Sequence, residues 1–167
     1  MRHLLRILEV THLDRNGEVL WYRENIPNLL HDQGELYCLS ALFNTSVVSI
    51  PEHYYAGLDN RTSPAGSDRL TNLSQEPTQF GYARQAVSSS TGFVIALNSD
   101  HIYQATSNVL TFVASGGVWG PVSNIFLTTS LDNTGFLISS ASLGGSHSLN
   151  AGEQLTIRLA LTLSNVS

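Results

Sequence analysis

Six histidines, at positions 3, 12, 31, 53, 101 and 147, are the residues of this sequence best suited to acid–base or metal chemistry. No two lie within eight residues of each other, so the HxH, HxxxH and HExxH spacings that place two imidazoles on one metal are absent. Only convergence of separate strands could bring three of them together. Ser146 next to His147 superficially suggests a hydrolase, but a nucleophile elbow needs G-x-S-x-G on a strand-to-helix turn, and Gly144-Gly145-Ser146-His147 does not supply it. A glycosidase needs two carboxylates facing one cleft. Here Asp32 and Glu35 read as helix-capping residues, while Asp59, Asp68 and Asp132 fall in turns that favour Asp anyway. Asp59, Asn60 and Asp68 could ligate calcium from a loop, without EF-hand spacing. The sequence contains no lysine, which excludes a P-loop lysine, a Schiff base and a Ser–Lys dyad. Cys38 is alone, so there is no intrachain disulfide and no thiolate cluster; beside Tyr37 it reads as a small buried filler. No catalytic residue, metal or cofactor is assigned.

The aromatic residues leave a binding role open. Trp119 sits in the glycine-rich Gly116-Gly117-Val118-Trp119-Gly120-Pro121, where an indole can stack on a sugar ring or plug the end of a β-sandwich. Tyr54 and Tyr55 are the other stacking candidates. The Asn-x-Ser/Thr sequons at Asn44, Asn60, Asn72 and Asn165 are those an Asn/Ser/Thr-rich sequence produces by chance.

Charge is scarce. Of 167 residues only 13% are charged, about half the usual quarter, and the net charge is −5. From Ala86 to Ser167 the only charges are Asp100, Asp132, Glu153 and Arg158. Such a surface is either a neutral Ser/Thr-rich sheet face or one covered by neighbouring subunits. Arg2, Arg6, Arg15 and Arg23 alternate with Glu9, Asp14, Glu18 and Glu24, which is a paired or solvated face and no footprint for nucleic acid. Mean hydropathy is +0.01 and apolar runs reach four or five residues, so no membrane span is expected. The opening MRHLLRILEV lacks a small-residue cleavage site and does not read as a signal peptide.

These side chains have to be positioned mainly by strands. The length suits one domain, 1–167. Residues 4–23 read as an N-terminal β-hairpin or arm within 1–27, with Asn16-Gly17 in a type I′ turn. A helix is expected over 32–44, capped by Asp32 with Glu35 closing a capping box, and with Leu36, Leu39 and Phe43 forming an apolar stripe with Leu42 alongside. His53–Leu58 is a short aromatic strand. The polar stretch 59–79 is a long loop anchored by Leu70 and Leu73, with one helical turn. Strands follow at 82–88, 92–97, 102–106, 109–114, 122–129, 135–141 and 154–163, separated by turns that include Gly144-Gly145. In the last strand, Leu155, Ile157, Leu159, Leu161 and Leu163 share one face. The expected fold is mainly β: an antiparallel β-sandwich, Greek-key or jelly-roll-like, with one short α-helix.

Several segments, in this order and spacing, carry a resemblance. They are Asn28-Leu29-Leu30-His31-Asp32-Gln33-Gly34-Glu35, Tyr54-Tyr55-Ala56-Gly57-Leu58, and Glu76-Pro77 through Gly81-Tyr82-Ala83-Arg84-Gln85. Val109-Leu110-Thr111-Phe112 through Trp119-Gly120-Pro121-Val122, Gly135-Phe136-Leu137-Ile138 and Ala151-Gly152-Glu153 complete the set. Together they span 28 to about 163 and resemble a family of small virion proteins of tailed bacteriophages, with Gly-Tyr-Ala-Arg-Gln the most telling piece. The resemblance implies a non-enzymatic β-sandwich part of the virion, made in the host cytoplasm. It implies a homo-oligomer that assembles with other phage head, neck or tail proteins, and it brings no catalytic residues. Arg84 is expected to pair with Glu76 or a backbone carbonyl and fix the loop exit. Two rivals remain: a carbohydrate- or receptor-binding module using Trp119, Tyr54 and Tyr55, and a glycan hydrolase.

Overall fold

The computed structural model describes residues 5–162. Arg2, His3, Leu4, Leu163 and Asn165, named above, lie outside the described residues. The chain opens with a hairpin of β1 (Leu5–Leu13) and β2 (Val19–Pro27). Its turn departs from the expected type. The Gly17 N–H donates to the Asp14 carbonyl and only Gly17 is left-handed, at φ 86°, so the loop is a type I turn closed by a glycine bulge. The Asp14 carboxylate decides this, because it accepts the N–H groups of both Asn16 and Glu18 and holds Asn16 at negative φ.

After β3 (Leu29–Leu30) comes the helix, α1 (Asp32–Phe43), and then β4 (His53–Asp59). A 3-10 turn at Leu70–Asn72 stands where one helical turn was expected in the polar loop. The remaining strands are β5 (Gln85–Ser88), β6 (Phe93–Leu97), β7 (Tyr103–Ser107), β8 (Leu110–Val113), β9 (Trp119–Thr128), β10 (Leu137–Leu149) and β11 (Gln154–Thr162). They form two antiparallel sheets. One runs β2-β1-β11-β7-β6, with β8 also on β11, and the other runs β3-β10-β9-β4-β5. Strands β7 and β8 lie end to end along β11, and the Ser107 hydroxyl bridges the break by accepting the Leu159 N–H at 2.9 Å. The expected β-sandwich with one helix is thus the observed fold.

Period-two alternation explains the core. Leu155, Ile157 and Leu159 of β11 meet Ile125 and Leu127 of β9 and Ala56 and Leu58 of β4 between the sheets. The opposite face of β9 and β10 is apolar too: Phe126 and Leu137 are buried against Leu70 and Leu73, which lays the 59–79 loop on the outer face of the second sheet. Gly144-Gly145 is not a turn. It lies inside the 13-residue β10, where the register slips between Ser142 and His147 and Gly144 takes φ 81°. There the Arg23 guanidinium crosses Gly144 to donate to the Leu143 carbonyl at 3.1 Å.

The helix differs from expectation in two respects. Asp32 is its first residue and not its cap. His31 holds the cap position without a side-chain bond, and the Asp32 N–H donates instead to the Gly66 carbonyl at 2.9 Å. A distant loop therefore does what a local carboxylate was expected to do. The buried face is Gly34, Tyr37 and Ser40, while Leu36, Leu39, Leu42 and Phe43 point to water. Gly34 explains the choice, since a Cβ there would overlap the Ile138 carbonyl oxygen. The helix can approach β10 this closely only on its glycine side. Gly34→Ala should lower stability by about 1–3 kcal/mol through overpacking, measured as a shift of the urea midpoint at unchanged slope.

Candidate functional site

Two guanidinium groups, Arg84 buried and Arg61 largely so, organise the loops over the second sheet. Arg84, 9% exposed, donates from Nε and Nη2 to the Glu76 carboxylate, from Nη1 to the Ser130 and Asp132 carbonyls at 3.1 and 2.7 Å, and from Nη2 to Asn133 Oδ1. Its guanidinium carbon lies 5.1 Å from the centre of the Phe126 ring. Beneath that ring lies Gly57, where any Cβ would run into the aromatic carbons. Segments 54–58 and 76–85 are therefore two sides of one stack. Tyr82 belongs to it, with its hydroxyl accepting the Leu58 N–H at 2.8 Å and meeting Glu76 Oε2 at 2.8 Å. Burial, reinforced by the Glu76 charge, pushes the Tyr82 phenol far above its ordinary range.

Arg61 is the second hub. It meets Asp59 Oδ2 at 2.8 Å and Asp68 Oδ2 at 2.7 Å, and donates to Ser140 Oγ at 2.7 Å. The two carboxylates considered for calcium are thus turned onto a cation of the protein's own. Asn124 donates to Asp59 Oδ1 at 2.9 Å. His31, fully buried, joins through Nδ1 to the Ala65 carbonyl and through Nε2 to Ser140 Oγ, both at 2.8 Å. A carbonyl only accepts, so Nδ1 carries the proton and the Ser140 hydroxyl donates to Nε2. Desolvation holds the His31 pKa below the ordinary imidazole value.

The other candidates disperse. Ser146 donates to Asn60 and not to His147. His12 meets Glu153 at 3.0 Å, and its ring centre lies 6.5 Å from that of His147, which packs on Trp21 at 4.3 Å. Among the described residues, no three His, Cys, Asp or Glu side chains are grouped to hold a metal ion. Trp119 is 2% exposed, donates its indole N–H to the Phe80 carbonyl at 3.0 Å and stands edge-on to Tyr82 at 5.4 Å. It closes an end of the sandwich and has no free face for a sugar. The Tyr54 hydroxyl bonds that of Tyr37 at 2.9 Å, beside a mainly apolar groove of about 230 Å³. Tyr55 lines a separate open cleft of about 410 Å³ with Glu52, His53, Asp132 and Thr134. Reasoning from sequence missed Arg61 and His31 as network centres. The signal available was that charged residues in so charge-poor a chain are seldom idle.

With this geometry in view, the comparison with known families is decisive. The family model described as podophage GP4 fiber I protein gp80 matches residues 31–163. The chain belongs to that family. It is therefore a structural protein of a tailed-phage particle, and the matched span contains both arginine hubs, the helix and strands β4 to β11, while β1, β2 and β3 precede it. No curated protein matches the chain.

Two outcomes follow for these networks. Arg84→Ala should cost about 3–5 kcal/mol in urea unfolding, because it leaves the half-buried Glu76 without its cation. Arg84→Lys should recover little of that, since an ammonium cannot span Glu76 and two carbonyls. Amide exchange should accelerate first over 76–84 and 130–135. For His31 the unfolded chain binds the proton more readily than the fold does. Its contribution is fully present above the ordinary value near 6.5 and is lost as pH falls from there through the lowered folded value. Melting temperature should fall from pH 8 to pH 5, and less steeply in His31→Asn. Part of the slope should survive in that variant, since desolvation and nearby His12 lower His147 as well.

Proposed function

We propose that this protein is a non-enzymatic building part of the phage fiber, made in the host cytoplasm, that associates with copies of itself and with head, neck or tail proteins of the virion. The observation that carries the reading is the family match over 31–163. Supporting it, Arg84 and Arg61, which could otherwise serve a ligand, spend their donors on the protein's own loops. The Gly81-Tyr82-Ala83-Arg84-Gln85 segment then serves as a structural signature of the group, with Arg84 and Trp119 shaping the surface from beneath and Tyr54 and Tyr55 lying nearer to partners. Quantitative mass spectrometry of purified particles tests this. A small fixed number of copies per particle is expected, a multiple matching the neck or tail, and absence from the particle would refute the assignment.

One observation favours a second reading, a carbohydrate- or receptor-binding role. The open cleft at Tyr55 combines an aromatic ring with Glu52, His53, Asp132 and Thr134, the mixture that saccharide sites use. On this reading a glycan array returns hits that Tyr55→Ala abolishes and Trp119→Phe leaves in place. An array without hits would leave the building-part role alone.

A further inference from the structure

Among the described residues, three that are not glycine hold a positive φ: Asn25 at 52°, His101 at 57° and Phe80 at 55°. Asparagine and histidine enter this left-handed region readily, whereas a bulky side chain there is strained. What holds Phe80 is its carbonyl, which collects three donors. They are the Ser115 N–H at 2.8 Å, the Ser115 hydroxyl at 3.2 Å and the Trp119 indole N–H at 3.0 Å. Those bonds need only the backbone, and asparagine or glycine would make them at less cost. The phenyl ring gains little burial in exchange. It lies over Gly117, where a Cβ would run into it, and stays 42% exposed. Backbone strain of this kind gathers at ligand sites.

The ring forms one wall of a cleft of about 250 Å³ at the end of the sandwich where β8 leads into β9. Pro77 and Val118 extend the apolar wall, while Thr78 and Gln79, both exposed, supply a hydroxyl and an amide. Glu76 also lines the cleft, but its carboxylate is engaged by Arg84 and Tyr82. No other lining residue is charged, so the cleft offers a ligand no free charge. We infer that it binds one neutral pyranose ring of a saccharide, whose C–H face stacks on Phe80 and whose hydroxyls meet Thr78 and Gln79. An aromatic platform beside a few hydrogen-bonding side chains suits a ring with an apolar face and a polar rim. The volume lies below the roughly 300–1,000 Å³ of sites for drug-sized ligands, which suits a single ring. Arg84 holds Glu76 to the 130–133 loop and so keeps the segment carrying Phe80 in place before any ligand arrives. The site goes beyond the building role and shares no lining residue with the Tyr55 cleft.

The test is an amide NMR titration of the full chain with the methyl glycosides of glucose, galactose, mannose and N-acetylglucosamine, each to about 50 mM, where millimolar contacts are populated. The Trp119 indole N–H, bonded to the Phe80 carbonyl, is a reporter at the cleft, and Trp21→Phe removes the other indole signal. At least one of these glycosides should shift it together with the amides of 76–80, and the anionic methyl glucuronide should not. Phe80→Asn should weaken binding about tenfold at an unchanged melting temperature, because asparagine tolerates φ 55°. Gln79→Ala, at an exposed position, should weaken it about threefold. No shift with any neutral glycoside, equal binding of the glucuronide, or wild-type affinity in Phe80→Asn would each overturn the inference. So would a Phe80→Asn protein that melts well below wild type while Gln79→Ala binds normally, since the ring would then serve the fold. Shifts confined to amides around Tyr55 would overturn it too and assign the saccharide to that cleft. Copies counted in particles do not depend on any of these results, so the building role stands or falls separately.

Discussion

A guanidinium removed from water must have its donors met, and in this protein that requirement ties the outer layer to the sandwich. Arg84 satisfies Nε and both terminal nitrogens with Glu76, the Ser130 and Asp132 carbonyls and Asn133. These partners belong to two loops far apart in sequence, so the loops can be placed only together. Phe126 lies between Arg84 and Gly57, and this gives the arrangement its depth, because the ring sets how far the cation stands off the sheet. Arg61 repeats the logic with Asp59, Asp68 and Ser140 and fixes the other end of the same sheet face. The outer face of β9 and β10 thereby becomes a second small core, with Leu70 and Leu73 set onto Phe126 and Leu137.

The same constraint bears on function. Loops stapled to a sheet by partly buried ion pairs make a stiff surface, which suits a part that must present a fixed shape to its neighbours. The scarcity of charge has a related consequence. Most of the few charges near the 59–79 loop are engaged inside the protein, so much of the outer surface is neutral or apolar. The exposed side of α1 is the extreme case. Gly34 commits the helix to β10 by one face, and the leucines and Phe43 are left on the other.

Much of the fold was legible in the sequence because strand alternation and turn chemistry are local. The face shared by Leu155, Ile157 and Leu159 follows from a period of two. The 3-10 turn at Leu70–Asn72 and its burial follow from two leucines in an otherwise polar stretch. The helix itself was legible from its periodicity, but its orientation was not. Tyr37 and Leu39 both fit an apolar stripe, and spacing along the chain cannot tell which stripe meets the sheet. The helix start was misjudged for a similar reason, since the group that satisfies the Asp32 N–H is the Gly66 carbonyl, more than thirty residues away.

The sequence by itself determined the class of architecture, two antiparallel sheets with one helix, and the segments through which the family is recognised. Those depend on residue types, spacings and backbone preferences that act over a few positions. Only the tertiary structure decided which side chains share a network. Arg61 meets His31 through Ser140, Trp119 turns inward to the Phe80 carbonyl, and Leu39 faces water while Tyr37 is buried. Each of these outcomes turns on which groups are desolvated together, and desolvation is a property of the packed whole.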